Sequence, residues 1–225
     1  MDSIVQFVLQ FIDFILHMDE HLPQLINDFG IWTYLILFLV IFCETGLVIT
    51  PFLPGDSLIF LLGALAKSGD INFPAIIAVL MVAAVLGDTC NYEIGRFFGA
   101  KLFRNKNSKI FKKQYLDKTH NFYEKYGGKT IILARFVPII RTFAPFVAGM
   151  GSMSYKKFIS YNIIGGIFWV ALFSFGGFFF GGIPWVQNNF FIVAIAIILI
   201  SLMPAVIAFL KSKKSEPPKK DKQSS

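Results

Sequence analysis

Four charged residues of opposite sign sit in two broken apolar stretches of this chain: Glu44 and Asp56 around one Pro/Gly-rich break, Arg135 and Arg141 around another. A charge in hydrocarbon costs several kcal/mol unless it is paired or lines a wet cavity, so such residues mark a transport path or a binding site. The fold is expected to bring the opposite charges together, and function is expected where they meet.

The apolar stretches set the class. The 225 residues are 55% hydrophobic and 16% aromatic, and the mean hydropathy of +0.63 lies far above that of a soluble domain. We expect an all-α, polytopic helical membrane protein with one compact domain. Cys43 and Cys90 both lie in apolar runs and are read as small buried hydrophobes, not as a disulfide or metal pair. The first 66 residues contain no Lys or Arg, hence no basic start of a cleavable signal peptide, and the chain is expected to anchor itself.

Along the chain, residues 1–29 are expected to form an interfacial helix, at 4–16, and a linker; thirteen residues are too few to span about 30 Å of hydrocarbon. A core from 30 to 182 follows. Its first broken stretch, about 31–66, folds around Pro51, Pro54 and Gly55 as a hairpin; a span at 74–98 and a basic loop at 99–128 come next. A second broken stretch, about 129–152, carries Pro138, Pro145 and Gly149 as elbow residues and leads to a span at 158–180. A C-terminal span at 183–210 and a disordered basic tail at 211–225 complete the chain.

Charge placement supports the hairpins. Of the 21 Lys and Arg, ten lie between Arg96 and Lys129, two are Lys156 and Lys157, and six lie between Lys211 and Lys222. If 129–152 crossed the bilayer once, the basic loop and the tail would fall on opposite sides, against the positive-inside rule. If it enters and returns, all three basic groups share the cytoplasmic side. The same rule explains the basic loop without a nucleic-acid partner.

The two halves also match. Gly30, Glu44, Phe73 and Gly99 align with Gly127, Arg141, Phe158 and Gly182, and Glu44 and Arg141 each follow the aligned glycine by 14 residues. Basic residues follow the first span but precede the second, which predicts two oppositely oriented re-entrant hairpins related by an inverted repeat, with a site near the midplane.

Arginine offers a fixed fork of donors suited to phosphate, so Arg135 and Arg141 are the candidate phosphate clamp. They could instead serve only to neutralise the acids. A carboxylate at depth is a natural proton carrier, because burial disfavours its charged form while a neighbouring guanidinium favours it. Glu44, inside an apolar run, is the stronger proton-coupling candidate; Asp56 either shares that role or caps the helix that follows it. Asp88 and Asn91, three apart on one helical face, are possible accessory residues that bond across helices.

Enzyme chemistry finds no support. His17, His21 and His120 form no metal-ligand pair at helical spacing and stand outside the broken segments; no nucleophile elbow or phosphate loop is present. No catalytic residue, metal or cofactor is expected.

At these residues the chain resembles the bacterial DedA family, which shares the VTT domain with eukaryotic lipid scramblases. The resemblance is carried by Phe42-Cys43-Glu44-Thr45-Gly46 with Phe52-Leu53-Pro54-Gly55-Asp56-Ser57-Leu58, and by Gly95-Arg96-Phe97-Phe98-Gly99. Arg135-Phe136-Val137-Pro138 with Arg141-Thr142 and Pro145, Ala148-Gly149-Met150, and Asn162 through Gly165 to Trp169 complete it. It implies a multi-pass bacterial inner-membrane protein with a cytoplasmic C-terminus, acting in envelope lipid homeostasis. Some members translocate undecaprenyl phosphate, with dependence on proton motive force, and the acid and arginine pairs are the residues held to matter. The expected partners are an anionic lipid, protons and the bilayer. A proton-coupled small-ion or osmolyte transporter, an energy-independent scramblase and a non-transporting scaffold are the alternatives.

Overall fold

The structure, a computed structural model, describes residues 18–47, 55–102, 128–151 and 153–189, with 192–193, 195–197, 199 and 203 beyond them. The expected helix at 4–16, most of the basic loop, most of the C-terminal span, the tail, and the elbow residues Pro51 and Pro54 lie outside the described residues.

Among the described residues all regular structure is helical. The elements are α1 (Met18–Phe29), α2 (Trp32–Gly46), α3 (Gly55–Ser68), α4 (Phe73–Leu102), α5 (Lys129–Ala134), α6 (Pro138–Met150), α7 (Tyr155–Phe180) and α8 (Pro184–Asn188). Helix α1 replaces part of the expected linker. Its Leu22 and Ile26 pack on the core, and Thr33 Oγ1 donates to Leu25 O at 3.1 Å, which ties α1 to α2.

Among the described residues, only α4 and α7 contain helices long and apolar enough to cross a membrane: Phe73–Phe98 and Tyr155–Phe180, 26 residues each with mean hydropathy 2.1 and 2.0. Each is about 39 Å long. The four shorter core helices α2, α3, α5 and α6 have 15, 14, 6 and 13 residues, so even the longest is about 22 Å, short of the hydrocarbon thickness.

The bend between α5 and α6 has a local cause. A residue before proline is driven out of the helical region, and Val137 takes an extended conformation (φ −125°, ψ 103°) so that Pro138 can open α6. The sequence placed Pro145 and Gly149 at this elbow too. They are instead inside α6, beyond the bend. Pro145 there leaves the Arg141 carbonyl without its usual helical donor, and Gly149 serves packing.

That packing is duplicated. Helix α3 runs parallel to α7, with Asp56, Phe60 and Ala64 meeting Trp169, Gly177 and Gly181 in turn; α6 runs parallel to α4, with Thr142 and Phe146 meeting Asn91 and Gly95. Each crossing is reciprocal. A Cβ on Gly63 would fall on the Ser174 carbonyl oxygen and one on Gly177 on that of Phe60. In the other crossing a Cβ on Gly149 would fall on the Tyr92 carbonyl oxygen and one on Gly95 on that of Phe146. Small residues let backbones touch where lipid supplies no hydrophobic drive between helices. The remaining main contacts, α2 on α4 and α5 on α7, complete an arrangement in which each broken helix pair lends one arm to each long helix.

The core divides accordingly. One cluster holds Leu37, Ile41, Ile59, Leu62, Ile76 and Leu80, another Tyr92, Ile131, Ala148 and Phe158. Between them on α4 lie Asp88 and Asn91, a polar layer with hydrocarbon above and below.

Candidate functional site

The N-terminus of α3 builds the first half of the polar layer. Asp56 occupies the first turn, where the helix dipole favours an anion. Glu44, near the end of α2, reaches across so that its Oε1 accepts the Gly55 N–H at 3.3 Å. A Cβ at 55 would push the Glu44 carboxylate out of this contact. Arg141 enters from α6 and bridges both acids: Nη2 donates to Glu44 Oε1, and Nη1 donates to Asp56 Oδ1 at 2.7 Å. Trp169 of α7 also donates from Nε1 to Asp56 Oδ1, at 2.9 Å, and Arg141 Cζ lies 4.7 Å from the centroid of its ring.

A second cluster forms around Arg135 in the α5–α6 bend. Its Nη2 donates to Asp88 Oδ2 and to Asn162 Oδ1. Asn162 is itself anchored to α4, donating from Nδ2 to Val85 O at 3.0 Å and Thr89 Oγ1 at 3.3 Å. Gly165 and Gly166 leave α7 bare where the Arg135 side chain crosses it.

Asn91 links the halves. Its single Nδ2 donates to Thr45 O at 3.1 Å and Thr142 O at 2.8 Å, the carbonyls of the residues that follow Glu44 and Arg141. All five charged residues are buried, none more than 6% exposed. Several of their polar atoms find no hydrogen-bond partner: Glu44 Oε2 and Arg141 Nε in the first cluster, Asp88 Oδ1, Arg135 Nε and Arg135 Nη1 in the second.

The four charges singled out in the sequence are therefore buried at depth, but they form two groups. Glu44, Asp56 and Arg141 meet, whereas Arg135 faces Asp88 and Asn162. The two arginines do not share one set of partners, because the bend at 135–137 turns Arg135 towards α4 and α7 and Arg141 towards the ends of α2 and α3. Asp88, expected as an accessory, is the direct partner of Arg135; Asn91 does bond across helices. Asn162 and Trp169 were not expected in the site. Their signal lay in the helical spacing of Asn162, Gly165, Gly166 and Trp169, a polar and small stripe in an apolar helix.

The outer surface completes the picture. Val82, Leu86 and Phe97 on α4 and Ile164, Phe168 and Phe179 on α7 point outward, so charge is inside and hydrocarbon outside, the reverse of a soluble protein. Fold and site together define a helical membrane protein with a charged centre.

The VTT domain family matches residues 53–179. Protein DedA of Escherichia coli is 59% identical over 206 residues, 91% of this chain and 94% of that protein. An uncharacterized membrane protein of Mycobacterium leprae is 45% identical over 169 residues, 75% of this chain and 76% of its own length. Inner membrane protein YqjA of Escherichia coli is 34% identical over 152 residues, 67% and 69% of the two chains. The chain belongs to the DedA family of VTT-domain membrane proteins. No solved structure matches it.

Proposed function

We propose that this protein carries an anionic lipid headgroup through the membrane, with undecaprenyl phosphate moving from the outer to the inner leaflet as the leading substrate and a proton as the coupling ion. The observation that carries this is the position of Arg141 between two carboxylates. One guanidinium facing two acids leaves one negative charge in excess, while the Arg135–Asp88 pair is balanced. A proton on the excess site restores neutrality at depth.

Glu44 is the acid that takes it. Asp56 Oδ1 receives two side-chain donors, whereas Glu44 Oε2 receives none. Protonation of Glu44 weakens its hold on Arg141 Nη2 and frees that donor for a phosphate oxygen. Arg141 Nε, Arg135 Nε and Arg135 Nη1 are further donors lacking an acceptor. When Glu44 later loses its proton to the other side, it retakes Arg141 and expels the headgroup. Asp56 assists by keeping Arg141 in place. The lipid tail stays in the bilayer, and no bond in the lipid is made or broken.

The same picture includes two re-entrant hairpins, α2–α3 and α5–α6, in an inverted repeat. Arms too short to span and the matched glycine crossings support it. Rocking of the hairpins alternates access. The same reading has the chain cross the membrane several times with its C-terminus in the cytoplasm, which the placement of the basic segments supports; the name of one relative, an inner membrane protein, supports the bacterial inner membrane as its location.

The test is reconstitution in liposomes, comparing undecaprenyl phosphate with common phospholipids, with and without a pH gradient. Selective movement of the prenyl phosphate, faster with acid on the side of headgroup entry, is the expected result. Equal movement of every lipid without a gradient would make the protein a scramblase, and no movement of any lipid would remove lipid transport in favour of a small-ion transporter or scaffold.

A further inference from the structure

Trp169 touches both members of the Arg141–Asp56 pair. It is fully buried on α7, its Nε1–H donates to Asp56 Oδ1, and its ring lies under the Arg141 guanidinium. Phe173 meets the indole edge-on at 6.3 Å between centroids, which helps to fix the ring. A buried indole has one N–H and no acceptor, so it favours the charged form of whatever oxygen it reaches. Here that oxygen belongs to one of two competing carboxylates.

The competition is lopsided for this reason. Asp56 faces Arg141 from α6, Trp169 from α7 and Glu44 from α2, and it holds two donors on one oxygen. Glu44 faces Arg141 and the Gly55 N–H and has one oxygen without a donor. On α4 and α5, Asp88 and Arg135 hold each other. Without the indole N–H, Asp56 would lose one of the donors that favour its charged form over that of Glu44.

We propose that Trp169 is a positioning residue that selects the proton carrier: by donating to Asp56 it keeps that carboxylate ionised on Arg141 and leaves Glu44 to take the proton. The indole face secures Arg141 from below while its Nη2 changes partner. This deepens the transport proposal and rests on it for the functional readout, but the choice of protonated acid is measurable without transport.

The measurement is pH-difference infrared spectroscopy of the full-length protein in lipid nanodiscs, following the carboxylic-acid carbonyl band. In the wild type, one buried-acid band is expected on lowering the pH; it shifts on isotope labelling of glutamate and not of aspartate, and it is absent in Glu44→Gln. Trp169→Phe keeps an aromatic face under Arg141 but removes the donor, and a second acid band that disappears on adding Asp56→Asn is expected. In liposomes, the pH of half-maximal transport in Trp169→Phe should move up, by about 0.3 unit where the two acids come to share one proton equally, whereas a merely structural defect would lower transport at every pH without moving that midpoint. A wild-type band that shifts with aspartate labelling instead of glutamate labelling, or an unchanged spectrum in Trp169→Phe, would overturn the proposal. The labelled wild-type spectrum can overturn it even if Trp169→Phe does not fold. Absent lipid movement with the expected infrared bands would sink the transport proposal alone.

Discussion

Arg141 and Arg135 lie six residues apart on the same segment, yet they live in opposite circumstances. Arg141 is shared by two carboxylates from two different helices, with one acid more than it can neutralise. Arg135 has one acid and one amide, and that amide is fastened to α4 by two further bonds. The first arrangement has a reason to change partner when a proton arrives; the second can keep its pair with Asp88 and still offer its unmatched Nε and Nη1. In a membrane interior, the ratio of acids to guanidiniums separates a switch from an anchor more clearly than burial does, since both sites are equally buried.

The contrast should be widest in stability. Arg135→Ala strands Asp88 in the interior and is expected to cost about 3–5 kcal/mol, read from unfolding in detergent. The double change Arg135→Met with Asp88→Leu should recover most of it, because a buried pair replaced by apolar groups is often neutral. Wild-type stability in Arg135→Ala alone would break the anchor assignment.

Arg141→Lys keeps the charge but loses the fork that engages Glu44 and Asp56 through separate nitrogens. Lipid transport should fall by about tenfold to a hundredfold, or about 1.4–2.8 kcal/mol, with the protein still inserted. Glu44→Gln and Asp88→Asn sharpen the comparison further. Wild-type transport should rise as the pH on the entry side falls; Glu44→Gln should flatten that dependence, whereas Asp88→Asn should retain it while lowering stability. The smallest effect is expected at Asn91, which serves both clusters indirectly: Asn91→Ala removes two hydrogen bonds and should cost about 1–2 kcal/mol in unfolding.

Much of this was legible in the sequence. Charges inside apolar runs and Pro/Gly breaks marked out both pairs of short helices and both long helices, with the second bend at 135–137 rather than spread to Pro145 and Gly149. Proline chemistry fixes where a helix begins, but not which later prolines it tolerates. The pairing of acids with arginines was not legible, because Asp88 and Asp56 differ only in which neighbour the packing brings near. Asn162 and Trp169 were concealed for another reason: amide and indole groups are ordinary in apolar helices until a partner appears across the helix. The C-terminal α8 begins at Pro184, within the expected last segment.

The reciprocal glycine crossings constrain how such a molecule deforms. Where backbone rests on backbone with no side chain between, separation is fixed by contact but the angle is nearly free. Gly63 lies seven residues from Asp56 and Gly149 eight from Arg141, about 10–12 Å along their helices. Each crossing is thus a bearing set back from the charged ends, and a few degrees of roll at the glycines becomes a lateral swing at Asp56 and Arg141.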